Sequence, residues 1–234
     1  MMLKEKKFQT HRGFWVEGIM ENTLESLVAA KKRGSTMVEF DVRLTRDYVP
    51  VLYHDKTLKR LHKAPVEMQA LTLAQAKTFA PNLTTLEQVL ASKAVPDFLN
   101  IELKTDAPVD PALEIKVSQL IHKYKAEERV VLSSFNPFSL IRSKTFMPEV
   151  ARALLVSEDK DPKNYWFLKQ MSLLPLTDSQ FLHWSEHMTT KERVDKFMDI
   201  GYQIACYTVN DPHRAQELLG WGVHSIISDH LLTA

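Results

Sequence analysis

Short apolar and β-branched runs alternate along this chain with longer segments in which apolar residues recur at helical spacing. Such alternation is typical of parallel βα units, in which a buried strand is followed by a helix that covers it. The predicted strands are residues 8–11, 37–42, 49–53, 98–103, 130–134, 150–156, 180–184, 203–209 and 224–228. Helical spacing is found, among other places, in residues 23–33, 84–93, 111–126, 189–200 and 211–220. The chain is therefore expected to be an α/β protein.

One of the predicted strands cannot belong to a parallel sheet. Only six residues, Arg43 to Tyr48, separate the second run from the third, whereas parallel neighbours need a crossover of about a dozen residues or more. Residues 49–53 are therefore predicted to be the second arm of a hairpin, which leaves eight strands. We predict a (β/α)8 TIM barrel with a small hairpin and helical insertion after its second strand. No Gly- or Ser-rich linker, internal repeat or low-complexity tract divides the sequence, so residues 1–234 are predicted to form one domain.

Composition argues against several classes of protein. The formal net charge of +1 is unlike that of an obligate nucleic-acid binder, which normally carries a marked basic excess. Cys206 is the only cysteine, so no intramolecular disulfide can form, which fits a reducing compartment. The first residues contain no apolar run of the signal-peptide kind, and no stretch approaches the roughly 20 apolar residues of a membrane span. We therefore expect a cytoplasmic protein without stable membrane insertion, and its oligomeric state stays open.

Polar residues stand at the carboxyl ends of several predicted strands. They are His11 and Arg12 on the first barrel strand, Glu39 and Asp41 on the second, Glu102 and Lys104 on the third, Ser133 and Ser134 on the fourth, Thr208 and Asn210 on the seventh, and Asp229 on the eighth. His54-Asp55 follows the hairpin, which leaves from the same end of the second strand. Since active sites of TIM barrels lie at this end of the strands, these residues are expected to converge on one rim.

The two acids of the second strand point to the same side because side chains alternate along a strand. The apolar Val38 and Phe40 take the other side, so the acids are expected to face the barrel mouth. Unpaired charge is costly there without a cation, and the same holds for Glu102, which lies in an apolar run. Lys104 has two interpretations, as a further positive contact for a ligand or as the salt-bridge partner of Glu102.

These residue types suit a metal-assisted reaction on a phosphate ester. Two histidines can exchange protons near neutral pH. An arginine can direct two donors onto phosphate oxygens, and acids at positions i and i+2 of a strand can hold a hard cation from one side. The rim therefore has the groups that would bind a phosphate and move protons around it.

Longer motifs surround these residues. They are HRGFWVEGIMENTLES at 11–26, VEFDVRLTRDYVPVLYHD at 38–55, LNIELK at 99–104, VVLSSFNP at 130–137, CYTVNDP at 206–212 and GVHSIISD at 222–229. In this order and at these spacings, they resemble the glycerophosphodiester phosphodiesterase family over nearly the whole chain. The resemblance implies a small-molecule substrate, a glycerophosphodiester, which is hydrolysed to sn-glycerol 3-phosphate and an alcohol such as choline or ethanolamine.

The resemblance also implies a role for each group of residues. The implied ligands of a divalent cation are Glu39, Asp41 and Glu102. Three carboxylates suit Mg²⁺ or Ca²⁺ better than zinc. The implied acid and base are His11 and His54, and the implied phosphate contacts are Arg12 and Lys104. In this family the glycerol 2-hydroxyl is thought to attack first, which gives a cyclic phosphate that water opens; which histidine is the acid stays open.

Three further residues are candidates for supporting roles. Glu21 belongs to the resembling motif and is expected to help position the site. Trp15, in the loop after the first strand, could pack against the leaving alcohol, and His183, at the end of a barrel strand, could touch the substrate. Core packing is the alternative for both. The family more often has proline at Met20 and tryptophan at Tyr207, so these two positions bear on substrate specificity more than on the chemistry.

Two alternative functions stay open on the sequence. A lysophospholipase D-like activity on lysophospholipids would use the same chemistry, and the apolar residues 165–176 could then contact a membrane, although a helix that covers the barrel also explains them. A metal-dependent aldolase or other lyase also places acids, histidine and arginine in a TIM barrel, but it needs no second histidine opposite the first. A binding protein built on an inactive barrel is disfavoured by the presence of both histidines and all three acids.

A basic cluster follows the His54-Asp55 pair. Its members are Lys56, Lys59, Arg60 and Lys63. It either attracts anionic substrates to the site or is the solvated face of a short helix.

Overall fold

The computed structural model describes residues 7–16, 18–105, 109–157 and 171–230, and a closed barrel of parallel strands lies at its centre. The strands are β1 Phe8–His11, β2 Met37–Leu44, β3 Pro50–Leu52, β4 Phe98–Leu103, β5 Val130–Ser134, β6 Ala151–Val156, β7 Phe181–Ser185, β8 Gln203–Tyr207 and β9 Ser225–Ser228. They follow one another in the order β1-β9-β8-β7-β6-β5-β4-β2, and β1 also pairs with β2, which closes the ring. The predicted TIM barrel is confirmed.

Helices connect successive barrel strands and cover the outside of the barrel. The α-helices are α1 Leu24–Lys32, α2 Lys59–His62, α3 Leu73–Phe79, α4 Leu86–Ala91, α5 Ala112–Tyr124, α6 Pro137–Phe146, α7 Leu174–Thr177, α8 Lys191–Asp199 and α9 Pro212–Gly220. Threonine caps begin several of them, as at α3 and α4, where Thr72 and Thr85 accept hydrogen bonds from backbone N–H groups of the first turn. Such caps satisfy donors that have no partner within the helix.

The alternation of side chains separates the two faces of β2. Val38, Phe40 and Val42 are buried in the apolar core between the strands and the helices. Glu39 therefore points into the barrel, where it lines a cavity at the mouth, and Asp41 shares its face. The side of the strand that the sequence assigned to the acids is confirmed.

The predicted hairpin is also confirmed. β3 pairs with β2 in antiparallel register, with Val42 opposite Leu52. The insertion that follows contains α2 and α3 and has a small core of its own, in which Tyr53, Leu58 and Met68 are buried. The N–H of Tyr53 donates to the carbonyl oxygen of Asp41 at 3.0 Å, so the hairpin returns the next residue, His54, to the end of β2.

The strand predicted over residues 203–209 is shorter in the structure and ends at Tyr207. Beyond it, the N–H of Val209 donates to the carbonyl oxygen of Ile227, and the Asn210 side chain accepts the N–H of Asp229. These contacts hold the residues that follow β8 against the end of β9, the strand with which β8 pairs.

The apolar segment 165–176 is described only in part, because residues 165–170 lie outside the described residues. In α7, Leu174 is buried and Leu176 is exposed. Throughout the ranges that the structure describes, no helix combines the length and the apolar composition that crossing a bilayer requires.

The turn that follows β1 depends on a glycine. Gly13 has a φ of 81°, a backbone conformation that side chains with a Cβ rarely adopt. A Cβ at this position would lie 2.5 Å from the Oγ and 2.7 Å from the backbone carbonyl carbon of Ser26 in α1. The turn can therefore pack this closely against α1 only because residue 13 has no side chain.

Replacing Gly13 by alanine is expected to lower the free energy of unfolding by about 2–4 kcal/mol, through the left-handed backbone and the steric overlap together. Gly34→Ala is the matched control, because Gly34 has a φ of 91° but no described atom within 4 Å of the added carbon. Only the backbone cost of about 1–2 kcal/mol then applies. Urea denaturation of both variants measures the difference. Equal losses would show that the contact with Ser26 does not constrain the turn.

Candidate active site

The register of the barrel brings the residues of the predicted rim together. His11 on β1 lies opposite Glu39 on β2, and Asp41 lies opposite Glu102 on β4. A cavity of about 140 Å³ opens between them at the carboxyl ends of the strands. Among the residues that line it are His11, Arg12, Glu39, His54, Glu102, Lys104 and His183. The predicted convergence is therefore present in the structure.

Three buried carboxylates lie close together in the site. Glu39, Asp41 and Glu102 each place an oxygen so that the three oxygens lie within 4.8 Å of one another. The Asn22 amide fixes Asp41, because its Nδ2 donates to Asp41 Oδ2 at 2.8 Å and its Oδ1 accepts the Asp41 N–H at 3.0 Å. Lys104 Nζ lies 2.6 Å from Glu102 Oε1 and 3.2 Å from Asp41 Oδ1. The salt bridge between Lys104 and Glu102 that the sequence allowed is thus present.

The electrostatics of this acid cluster are uneven. Burial and the neighbouring Asp41 raise the pKa of Glu39 to about 8. Burial would also raise the pKa of Asp41, but Lys104 is foremost among the positive charges that hold this pKa below its ordinary value. Burial raises the pKa of Glu102, against the opposing effect of Lys104. The three carboxylates are therefore not all ionised near neutral pH in the absence of a further positive charge.

These observations fit a site for a hard divalent cation. Its donors would all be carboxylate oxygens, which Mg²⁺ and Ca²⁺ prefer. Burial and the repulsion between neighbouring carboxylates raise the pKa of Glu39, and a bound cation would oppose both effects. The acidic groups could therefore bind a metal ion.

The two histidines predicted as acid and base are each held by a carboxylate on the same ring nitrogen. His11 Nδ1 lies 2.7 Å from Asp229 Oδ1, and His54 Nδ1 lies 2.7 Å from Asp55 Oδ1. A carboxylate on Nδ1 favours the tautomer with the proton on that atom, which leaves Nε2 to exchange protons with a ligand. Asp229 is held in turn by Asn210, whose Nδ2 donates to Asp229 Oδ2 at 2.9 Å.

The two imidazoles differ in their proton affinity. Burial lowers the pKa of His11, but the carboxylates of Glu39 and Asp229 outweigh burial, and the pKa is raised above its ordinary value. Burial lowers the pKa of His54 to about 4, with Lys104 and Arg12 acting in the same direction. In this state of the site, His54 is the neutral imidazole near pH 7.

Arg12 is held in place from three directions. Its backbone N–H donates to Glu39 Oε2 at 3.1 Å, its NH1 donates to Glu21 Oε1 at 3.0 Å, and its Nε lies 3.3 Å from Asp41 Oδ2. Its φ of 57° is in the left-handed region, a conformation that non-glycine residues keep mainly where surrounding contacts enforce it. The contacts hold the guanidinium at the wall of the cavity.

The candidate supporting residues have different surroundings. Trp15 Nε1 donates to the carbonyl oxygen of His11 at 3.1 Å, so Trp15 supports the turn after β1. Glu21 is buried and accepts hydrogen bonds from Arg12 and from Arg60. His183 is fully buried in the middle of β7, not at its end, and its side chain lines the cavity.

Several contacts of the site were not assigned from the sequence. Asp229 stands at the end of the last barrel strand, which places it on the rim, but strand order alone does not show that its partner is His11. Asn22 lies within the motif at residues 11–26, but nothing in the sequence shows that its partner is Asp41. Arg60 belongs to the basic cluster and is exposed, and its ion pairs with Asp55 and Glu21 are a role that neither predicted interpretation of the cluster included.

Comparisons with known proteins point in one direction. A model of the glycerophosphoryl diester phosphodiesterase family matches residues 11–233. A glycerophosphodiester phosphodiesterase of Caldanaerobacter subterraneus subsp. tengcongensis is 27% identical over 231 residues, which cover 94% of this chain and 92% of that protein. One of Bacillus altitudinis is 28% identical over 237 residues, which cover 95% of this chain and 94% of that protein. The solved structure of an Oleispira antarctica phosphodiesterase, in complex with the product sn-glycerol-3-phosphate, has a TM-score of 0.81 and 26% identity, and covers 95% of this chain and 92% of that chain.

Proposed function

Because this chain belongs to the glycerophosphoryl diester phosphodiesterase family, we propose that it hydrolyses glycerophosphodiesters to sn-glycerol 3-phosphate and an alcohol by acid–base catalysis with His11 and His54. It is a phosphoric diester hydrolase. The observation that carries the proposed mechanism is the placement of two carboxylate-held imidazoles, an arginine and a buried acid cluster around one cavity. We also propose that the chain acts as a single domain in the cytoplasm.

The two imidazoles account for the proton transfers. One Nε2 accepts the proton of the attacking hydroxyl or water as its oxygen bonds to phosphorus. The other Nε2 gives a proton to the leaving oxygen as its bond to phosphorus breaks. Asp229 and Asp55 hold both rings in the orientation and tautomer that this exchange needs.

Arg12 and Lys104 provide the positive charge for the phosphate. Both side chains line the cavity, and both are also paired with acids of the site. A guanidinium can bind two phosphate oxygens at once, whereas an ammonium acts as a point charge. We propose that Arg12 orients the phosphate and that Lys104 adds to the neutralisation of its charge.

The acid cluster is proposed to hold the divalent cation, Mg²⁺ or Ca²⁺. Its ligands would be Glu39, Asp41 and Glu102. When bound, such an ion supplies Lewis acidity toward a phosphate oxygen and offsets the negative charge of the transition state. The residues themselves keep the three oxygens within 4.8 Å of one another, and all three side chains are buried.

A lysophospholipid substrate is the second candidate, and one observation favours it. Phe135 lines the cavity and is 40% exposed, and Phe138 nearby in sequence is 43% exposed. Apolar side chains beside a phosphate site could contact an acyl chain.

The cavity of about 140 Å³ is small compared with roughly 300–1,000 Å³ for sites that enclose a drug-sized ligand. We propose that it takes the phosphate end of the substrate and that the rest of the substrate lies outside it. The lyase alternative loses its support, because the family is that of phosphodiesterases.

The substrate class can be tested directly. The purified protein is assayed with Mg²⁺ and with Ca²⁺ on glycerophosphocholine, glycerophosphoethanolamine and lysophosphatidylcholine, with glycerol 3-phosphate and lysophosphatidic acid as the measured products. We expect release of glycerol 3-phosphate from the two small diesters. Hydrolysis of the lysophospholipid alone would replace the first candidate by the second.

A further inference from the structure

We propose that Arg60 is a positioning residue that joins the two halves of the active site. It binds the carboxylate that orients His54 and also the carboxylate that orients Arg12. The inference rests on the proposed function, in which His54 and Arg12 act on the substrate.

The first half of the connection runs through Asp55. Arg60 Nε donates to Asp55 Oδ2 at 2.6 Å, and the other oxygen of the same carboxylate, Oδ1, lies 2.7 Å from His54 Nδ1. Both oxygens of Asp55 are therefore engaged, one by the guanidinium and one by the imidazole. A carboxylate fixed in this way cannot rotate without losing one of these contacts, so the plane of the His54 ring is set through Arg60.

The second half runs through Glu21. Arg60 NH2 donates to Glu21 Oε1 at 2.6 Å, and Arg60 NH1 donates to Glu21 Oε2 at 2.9 Å. Glu21 Oε1 also accepts from Arg12 NH1 at 3.0 Å. Glu21 is buried, with 8% of its surface exposed. A buried carboxylate that is bound by two guanidinium groups has a defined position, and Arg12 is oriented by it.

The connected residues come from separate parts of the fold. Glu21 lies in the connection between β1 and α1, Asp55 follows β3, and Arg60 lies in α2 of the insertion. α2 is only four residues long and none of its residues is fully buried, although Leu61 packs partly buried against the small core of the insertion. The pairs that Arg60 forms connect this helix to the carboxylates at the barrel mouth.

The chemistry of the contacts requires arginine. Three different N–H groups of Arg60 bind three carboxylate oxygens on two residues. The planar guanidinium has donors along two edges in a fixed geometry, whereas a lysine ammonium is a single centre on a flexible chain. A lysine at this position can keep the charge but not both carboxylates. Isolated surface ion pairs contribute little to stability, but bidentate pairs within a network with a buried member are the exception.

The test compares Arg60→Gln and Arg60→Lys with Lys59→Gln. Lys59 is the exposed neighbour in the same helix, so its replacement removes the same charge and leaves the network in place. The metal-loaded proteins are assayed on glycerophosphocholine, and kcat and KM are measured separately with the melting temperature. Spectra of ¹⁵N-labelled histidine, with the His54 signal assigned from His54→Ala, report the tautomer of the ring.

For Arg60→Gln we expect kcat/KM to fall about 10–100-fold, as is usual when a group behind an active-site residue is removed. The loss should appear in kcat through His54 and in KM through Arg12, and the His54 signal should shift toward a mixture of tautomers. Arg60→Lys should recover part of kcat/KM, and Lys59→Gln should match the parent protein. A parent-like kcat/KM and a parent-like His54 signal in a folded Arg60→Gln protein would overturn the proposal.

Failure of the proposed function gives a different result. If the parent protein hydrolyses none of the diesters, the activity assay fails for every variant alike. The His54 signal still reports on Arg60 in that case, since it is measured without turnover. A His54 tautomer unchanged by both Arg60 substitutions would then count against the positioning role.

Discussion

Replacing His54 by alanine is expected to lower kcat by about 10²–10⁴-fold, the usual contribution of a general acid or base. The reason lies in the contacts of the His54 ring. His54 is held by Asp55 on Nδ1 and lines the cavity, so its removal takes away one of the two imidazoles that are proposed to move protons. His11→Ala is expected to cause a loss of the same order, because each proton transfer needs its own group. Steady-state kinetics on glycerophosphocholine measures both.

The matched control is His122→Ala. His122 lies near the end of α5, just before β5 begins, which places it at the opposite end of the barrel from the mouth. Its removal should leave kcat within about twofold of the parent value, since surface changes away from a site are usually small. The double variant of His11 and His54 should lose little more than either single variant, because residues that act as a unit are not additive. Turnover that survives in His11→Ala or His54→Ala would remove that residue from the mechanism.

Removing the divalent cation is expected to lower kcat/KM by about 10²–10³-fold, since a metal in this role contributes several kcal/mol and each tenfold in rate corresponds to 1.36 kcal/mol. Glu39→Gln, Asp41→Asn and Glu102→Gln should each weaken binding of the ion. Glu128→Gln, an exposed change at the far end of the barrel, is the control. The measurements are activity after dialysis against chelator, recovery on adding Mg²⁺ or Ca²⁺, and calorimetric titration of the ion. Full activity in protein shown to be free of metal would contradict the assignment.

Affinity for the cation should also rise with pH, because the pKa of Glu39 is raised. Without the ion, burial and Asp41 raise the pKa of Glu39 to about 8, above its ordinary value of 4.5. The folded protein therefore holds a proton that the unfolded chain releases, and its stability decreases as pH rises from about 4.5 to about 8. The ion must displace this proton at pH 7, so its affinity should rise with pH up to about 8, by at most about tenfold per pH unit.

Calorimetry in buffers of different ionisation enthalpy counts the protons released on binding. The parent protein should release protons at pH 7, and Glu39→Gln should release fewer. The gain in melting temperature on adding the ion should be larger at pH 8 than at pH 6. Equal affinities at the two pH values would show that Glu39 does not hold the proton.

The sequence predicted the barrel well because its signals are local. The strands at 98–103 and 130–134 coincide with β4 and β5, since each begins with a short run of mainly apolar residues, and the strand predicted at 8–11 also coincides with β1. The spacing of residues 43–48 was enough to predict the hairpin. By contrast, β8 ends at Tyr207, and the residues after it bind the end of β9; no pattern within residues 203–209 contains information about that distant partner.

The sequence predicts which residues lie at the strand ends of the site, but not which of them form hydrogen bonds or ion pairs with one another. His11 and Asp229 are 218 residues apart in the chain and 2.7 Å apart in space. Strand order places both on the rim, yet the choice of partner depends on closure of the barrel between β1 and β9. Arg60 shows the same limit. In the sequence it is one of several basic residues, and only the fold of the insertion brings it to Glu21 and Asp55.

The hairpin has a consequence for how the activity is lost. The barrel supplies one imidazole, and the insertion supplies the other, on a segment whose small core is separate from the main one. Parts of a protein with few buried contacts open at lower free energy than the whole molecule. Mild denaturant should therefore abolish turnover at a concentration at which the circular dichroism of the barrel is still unchanged. A barrel in which the insertion has opened would then stay folded without being able to complete a catalytic cycle, because His54 has left the site.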